Sequence, residues 1–505
     1  MASKVNLKKF LNVSIIIFWL IMMGILFSKE IILKSQNSAY YPFLSKDTLL
    51  SDQWLGIYFN ECPIGFVHTS IEPAMLEKNV SGFQIVNRTW MNFVLLKKRN
   101  RVWFNGQALV DGAYRLRSFN FELNSGMHST QVKGEVDKEQ RIMHLEINSR
   151  GKITRKKIVL PRKKGIVVAS IISPFSFFGK LKVGAEYNIE VFNPFTLEFE
   201  PLAIKVAGKE KIVFQDESVE AFIVKSNYRN IEQISWVNLK GEILREETLL
   251  GWVLLKESAD RVSRIYRNVM QNDIELTEHF SLASNVILPK ESLEYLKVKF
   301  TGIAENFMLD SSRQRISKPA EDGNVVTFEI LRETPDTEKA LGIPIKDYPQ
   351  YVEASDFIQS DDAAIRTLAR KIVNKEKNSW VIAQNINRWV YENIRKTPVV
   401  SIPSAIDVLE TREGDCNEHA ALYAALTRAL GIPTKINVGL TYNEGRFYYH
   451  AWCSVYVGEW IDIDPAFGQS VADVTHIKFL EGDLNKQLEI ANVIGKISLE
   501  VMDYK

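Results

Sequence analysis

Cysteine is scarce in this chain, with three residues in 505. That excludes a scaffold built on disulfides, and the lack of any C-x-x-C pair leaves little basis for a structural zinc site. Charge of one sign is also lacking. The net charge is +2 with no large basic block, so nucleic-acid binding has no electrostatic footprint. Sequence repeats and low-complexity tracts are absent. Long apolar runs are nearly so. The exception is Phe10 to Phe27, interrupted only by Asn12, Ser14 and Gly24 and preceded by Lys4, Lys8 and Lys9. Its length is near the lower limit for a spanning helix. The basic flank predicts a cytoplasmic N-terminus, with everything after Ser28 outside. No small-x-small cleavage site follows, and no cysteine stands there for lipid attachment. An uncleaved membrane anchor is therefore expected, with a cleaved signal peptide as the rival.

The apolar and charged fractions, 46% and 25%, are ordinary for a globular protein. The length exceeds one usual core, so two or three domains are expected. The chain divides into a cytoplasmic tail (1–9), an anchor (10–27), a polar tether (28–51), an antiparallel β-rich domain (52–262), a small β module with linker (263–345) and a C-terminal domain (346–505). In the β-rich part, strand patterns follow one another without intervening helices. They include Trp54 to Phe59 and Ile64 to Ile71 around the turn Asn60-Glu61-Cys62-Pro63, then His128 to Val136, and a long candidate from Leu244 to Leu255. Such a run predicts an antiparallel sheet or a barrel-like domain. Ile171 to Phe178 is expected to cross between two sheet halves. Trp54, Trp90 and Trp103 are expected in the core, with a ligand groove as the alternative.

What the chain does contain is concentrated between Gly414 and Gln469. A cysteine lies in Gly414-Asp415-Cys416-Asn417-Glu418-His419-Ala420. A histidine lies in Tyr448-Tyr449-His450-Ala451-Trp452. An aspartate lies in Trp460-Ile461-Asp462-Ile463-Asp464-Pro465. Thiol acyl transfer uses these residue types in this relation: a thiolate attacks, an imidazole moves the proton, and a carboxylate orients the imidazole. Asn417 to Leu430 has helical spacing of alanine and leucine, ended by Gly431 and Pro433. Cys416 then sits at a helix start, where the partial positive charge and a histidine partner are expected to lower its pKa. Strands are predicted from Thr434 to Tyr442 and from Arg446 to Val457, joined at Asn443-Glu444-Gly445. A third runs from Trp460 to Asp464. Alternation puts His450, Trp452 and Ser454 on one face and Cys453 on the other. Asp462 and Asp464 share a face, so both remain candidates to orient His450. His419 competes for the role of base, and Cys453 is expected to pack in the core.

These motifs resemble the transglutaminase-like superfamily, the papain-related thiol enzymes. The resemblance rests on G-D-C-N-E-H-A with its alanine-rich helix, then A-L-G-I-P, H-A-W and D-P-A-F-G-Q, and it covers about the last third of the chain. It implies an α+β C-terminal domain in which the cysteine helix packs on an antiparallel sheet. It also implies Cys416 as nucleophile, His450 as base and Asp464 as orienting acid, with no cofactor and no metal. Ala466 departs from the threonine usual after the Asp-Pro pair. In the family a second oxyanion donor comes from the preceding helix, which here offers Gln384, Asn387 and Trp389. The function implied is a membrane-anchored extracytoplasmic acyltransferase, amidase or peptidase acting on a protein or peptide of the cell envelope. The alternative is a non-enzymatic assembly protein using the same fold as a scaffold. A metal site at Cys416, His419 and His450 matches zinc spacing only loosely, and no acidic loop for calcium is evident. Oligomeric state has no signature in the sequence.

Overall fold

The computed structural model describes residues 51–505, except 78–79, 113–114, 127, 138, 140, 150–151, 162–166, 169–180, 229–230, 249, 318–324, 399–400, 403 and 483. The expected anchor, the tether up to residue 50 and the crossing segment near Ile171 lie outside the described residues. Among the described residues, no helix is long and apolar enough to cross a membrane.

Fifteen strands between Ser51 and Glu257 form one sheet. Strand Ser51–Phe59 pairs with Cys62–Glu77 on one side and with Trp252–Glu257 on the other. From this centre two meanders run outward, antiparallel except at one edge, where Val167–Val168 runs parallel to Glu186–Asn193. A sheet this wide has to curl to bury its apolar face. The two wings do meet: Phe119 lies 5.5 Å from Phe192, and Phe121 lies 4.8 Å from Phe195, in one shared core. Tight hairpins set the register. Asn60 and Glu61 both take positive φ (45° and 64°), the mirror-image turn whose twist suits a two-residue hairpin. The expected single strand over Leu244 to Leu255 is two strands, Ile243–Glu247 and Trp252–Glu257, because Gly251 turns the chain at φ 75°. Trp90 is buried as expected, but Trp103 is 43% exposed.

The boundary placed at 262/263 falls inside a helix, Ala259–Gln271. Ser258 caps it by accepting from Arg261 N–H, and Val262, Ile265 and Val269 are buried. Ile265 and Val269 pack with Tyr58 and Trp90 of the large sheet, so this helix belongs with the β-rich part. A four-stranded sheet follows, centred on Tyr295–Thr301 and Val325–Leu331. Its edge strand Ser498–Tyr504 comes from the far end of the chain. The small sheet therefore draws on residues that the sequence reading had assigned to the C-terminal domain.

The C-terminal domain carries helices Ala363–Val373, Ser379–Asn393, Ala405–Thr411 and Cys416–Arg428. They pack on an antiparallel sheet of Thr434–Asn443, Arg446–Tyr456, Trp460–Ile463 and Ile477–Glu481, with Ser281–Ala283 at the edge. The cysteine helix is the most buried, with Ala420, Leu422, Ala424, Ala425 and Leu426 fully enclosed. Alanines on that helix let the strands approach closely, and Cys453 packs against it with its Sγ 3.5 Å from the Ala420 carbonyl. The small sheet covers Leu440, Phe447 and Phe479. The molecule is thus mostly antiparallel β structure ending in an α+β domain.

Candidate active site

Cys416 is the first residue of its helix. Asp415 caps that helix by accepting from Asn417 N–H at 2.9 Å, and Glu418 accepts from Asp415 N–H at 2.9 Å. This reciprocal box fixes the turn that presents the sulfur. Glu418 is buried and also bonds Ser401. Gly414 is required for this arrangement: a Cβ there would lie 2.2 Å from Glu418 Cβ.

His450 lies on the neighbouring strand. Its Nε2 is 2.7 Å from Asp464 Oδ2, which leaves Nδ1 as the nitrogen available to a thiol. Phe467 stacks on the ring at 4.8 Å, nearly parallel, and restricts its rotation. Asp464 is fully buried and accepts from Ala466 N–H at 2.7 Å and Phe467 N–H at 3.0 Å through Oδ1. Burial opposes its charge, but His450 and His476 outweigh that and hold the carboxyl far below the usual carboxylate range.

His476 is the functional residue that sequence reasoning missed. Its Nε2 donates to Asp464 Oδ2 at 2.9 Å, and its Nδ1 faces the Asp473 carbonyl and carboxylate, each at 3.2 Å. Burial works against its charge, but Asp473 and Asp464 outweigh burial and raise its pKa to about 9. A fully buried imidazolium therefore stands behind Asp464, and Asp473 is itself tied to Gln469, Thr475 and Lys290. The signal in the sequence was only Asp473 three residues before His476, ahead of an apolar strand.

The raised pKa gives a sign. A group whose folded pKa lies above its usual 6.5 stabilises the fold fully below that value and loses the contribution as pH rises toward about 9. Melting temperature is expected to fall between pH 6.5 and 9 in the wild type, and to fall less in His476→Asn. Parallel pH curves in calorimetry would show that His476 carries no such charge.

The rival residues are placed elsewhere. Asp462 accepts from Trp452 Nε1 at 3.0 Å, from Lys478 Nζ at 3.1 Å and from Ser454, and it makes no bond to His450. His419 is buried with Nδ1 2.6 Å from the Asp415 carbonyl and Nε2 3.3 Å from the Ile394 carbonyl, and burial lowers its pKa. It ties two helix ends together and is neither base nor metal ligand. Of the possible oxyanion donors, Asn387 is buried and its amide has no partner among the described residues, whereas Trp389 packs under Arg412. His450, Asp464 and His476 have ligand atoms within 4.8 Å of one another. Their contacts of 2.7 and 2.9 Å are hydrogen-bond lengths.

The expectation of a low-pKa thiol is corrected. Burial is the main cause of a Cys416 pKa well above 9.0, and the Asp415 carboxylate adds to it; the Ala451 N–H opposes both. The capping carboxylate thus offsets the positive end of the helix. Asn caps a helix as well as Asp does. Asp415→Asn is therefore expected to keep the helix and to speed alkylation of Cys416 by iodoacetamide at pH 7 roughly several-fold, since each unit of pKa is about tenfold in thiolate. An unchanged rate would rule out Asp415 as a cause.

The family model of the transglutaminase-like superfamily matches residues 366–465. That stretch, which holds Cys416, His450 and Asp464, is a transglutaminase-like domain. A solved structure described as a candidate cysteine protease from Cytophaga hutchinsonii is similar over 42% of this chain and 86% of its own, at 20% identity and a TM-score of 0.27. A candidate protease from Parabacteroides distasonis is similar over 71% of this chain and 68% of its own, at 12% identity and a TM-score of 0.20. No curated protein matches the chain. Asp473 and His476 lie beyond the family match.

Proposed function

We propose that the protein is a thiol acyl-transfer enzyme acting on amide or peptide bonds. The observation that carries this reading is the buried His450–Asp464 pair at 2.7 Å, next to the Ala451 N–H that bonds a cysteine at a helix start. In the first half-reaction the Cys416 proton passes to His450 Nδ1, and Sγ bonds to the substrate carbonyl carbon. The oxyanion meets the Cys416 N–H, which as the first residue of the helix has no intrahelical partner, and Asn387 is the candidate second donor. His450 returns its proton to the leaving amine as the C–N bond breaks, and a thioester remains. In the second half-reaction His450 takes a proton from water or an amine, which attacks the thioester carbon, and returns it to the Cys416 sulfur as the C–S bond breaks.

Because burial pushes the thiol pKa up, attack and proton transfer to His450 are coupled. Asp464 does not take a proton. It holds the Nε2–H tautomer and stabilises the imidazolium, and His476 holds Asp464 in turn. Incubation with p-nitrophenyl acetate is expected to leave an acetyl group on Cys416, seen by peptide mass spectrometry, and none in Cys416→Ala. Failure to find the adduct under conditions where the free ester is intact would sink the enzyme reading. An added primary amine then distinguishes transfer from hydrolysis by the amide formed.

The apolar run at residues 10–27 and its lysine flank support anchoring at a membrane with the catalytic domain outside. Protease added to intact spheroplasts is expected to digest the domain; full protection would overturn this topology.

A further inference from the structure

One cleft outside the catalytic residues collects positive charge, and its lining includes Glu413, three residues before Cys416. Its floor is a short parallel pair, Arg395–Lys396 against Glu413–Gly414, in which Lys396 is in register with Gly414. Thr397 N–H donates to the Gly414 carbonyl at 2.9 Å, and Gly414 stands two residues before Cys416. The opposite wall is the hairpin joining strands Val80–Leu95 and Lys98–Asp111 of the large sheet. Lys98, Arg99 and Arg101 of this hairpin line the same cleft as Arg395, Lys396 and Glu413, around a volume of about 600 Å³.

The charges do not cancel. Arg395 pairs with Glu413, and Arg99 pairs with Asp273 at 2.8 Å. Arg101 feels the same Asp273 carboxylate from further away, and among the described residues no carboxylate lies within ion-pair distance of Lys98, Arg101 or Lys396. The Lys396 ammonium stands 4.4 Å over the Tyr391 ring and 5.8 Å from the Phe467 ring. Phe467 in turn stacks on His450. The unpaired cations therefore run from the hairpin tip to the ring that holds the imidazole. A protein with a net charge of only +2 gains nothing for its own fold from gathering like charges in one cleft, whereas an anion there would be drawn in and held.

We propose that this cleft binds the acidic part of the substrate, so that the enzyme acts on peptides carrying carboxylate side chains next to the carbonyl attacked by Cys416. The proposal rests on the thiol acyl-transfer reading. It gives the β-rich part a role in catalysis, because that part supplies one wall of the substrate cleft.

The test uses the full chain and two peptidyl chloromethyl ketones of equal length, Glu-Glu-Gly and Gln-Gln-Gly, with alkylation of Cys416 followed by mass spectrometry. The acidic probe is expected to react roughly tenfold faster, a gain that electrostatic steering can supply, and to lose that advantage at about 1 M salt. In the double variant Lys98→Gln, Arg101→Gln the ratio of the acidic to the neutral rate is expected to fall several-fold. Equal rates in the wild type, a faster neutral probe, or a preference undiminished in the variant would each overturn the cleft assignment and leave the enzyme reading standing. Failure of both probes to alkylate Cys416 in the folded protein would sink the enzyme reading and the substrate class with it.

Discussion

Asp464→Asn is expected to cut acylation of Cys416 by roughly a hundredfold to ten-thousandfold, the range for an imidazole that loses its tautomer control. Asp464 Oδ2 accepts from both imidazoles, and Oδ1 accepts from two backbone N–H groups. An amide has one oxygen for these donors, and its NH2 end faces one set of them. If the oxygen stays with the backbone, His450 Nε2 meets a donor. The ring then keeps its proton on Nδ1, the wrong nitrogen for a base. The fold tolerates the change because His476 can shed its proton once only Asp473 opposes its burial. The measurement is the p-nitrophenol burst from p-nitrophenyl acetate, with circular dichroism to show that the variant is folded. A burst rate within about threefold of the wild type would mean that Asp464 is structural.

The helix start at Cys416 and the strands that carry His450 and lead into Asp464 were legible in the sequence because each sits in a short local motif. The helix start is written in Asp415 and Glu418, and the face of His450 in strand alternation. Strand alternation could not choose between Asp462 and Asp464, and only the resemblance of the Asp464-Pro465 motif favoured Asp464. Both lie on one face, and only the surroundings separate them: a second histidine behind Asp464, and Lys478 beside Asp462. Those partners arrive from strand Ile477–Glu481 and its approach, paired across the sheet with Thr434–Asn443. No local pattern announces such a pairing. The pKa of Cys416 was misjudged for a similar reason. The helix end is visible in sequence, but desolvation of the sulfur is a property of the packed site.

Much of the large sheet was legible, since hairpins with alternating faces are local objects, but the turn at Gly251 that splits Leu244 to Leu255 was not. Its closure through Phe119, Phe121, Phe192 and Phe195 was not, because it depends on contacts between residues far apart in the chain. The same holds for the small sheet, whose last strand, Ser498–Tyr504, pairs with Tyr295–Thr301 across two hundred residues of intervening chain. The basic cleft joins a hairpin near Lys98 to a strand near Lys396. Lys97-Lys98-Arg99-Asn100-Arg101 is basic on its own, but nothing local says that it faces Lys396.

Lys478→Met is expected to destabilise the protein by about 3–5 kcal/mol, the usual cost of stripping one partner from a buried ion pair. Lys478 and Asp462 are each almost fully buried, at 3.1 Å. Burial opposes the Asp462 charge, but Lys478 and Arg313 hold its carboxyl below the usual range. Burial and the Asp462 charge together push Glu333 up to about 7. Removing the lysine leaves two carboxylates facing one guanidinium. Asp462→Asn strips the pair from the other side and is expected to cost a similar amount, with Glu481 at 3.1 Å the one carboxylate left to Lys478 among the described residues, beside the Ser454 hydroxyl at 3.0 Å. Its effect is on folding, since Asp462 does not touch His450, so the folded fraction should keep the wild-type burst rate. The double variant Lys478→Met, Asp462→Asn removes both charges at once. It should recover most of the loss, because no charge is then buried without its partner. Urea unfolding of the two single variants and the double variant checks this. Strict additivity would show that the two charges are not coupled, and a burst rate in folded Asp462→Asn as low as in Asp464→Asn would place Asp462 in the catalytic site after all.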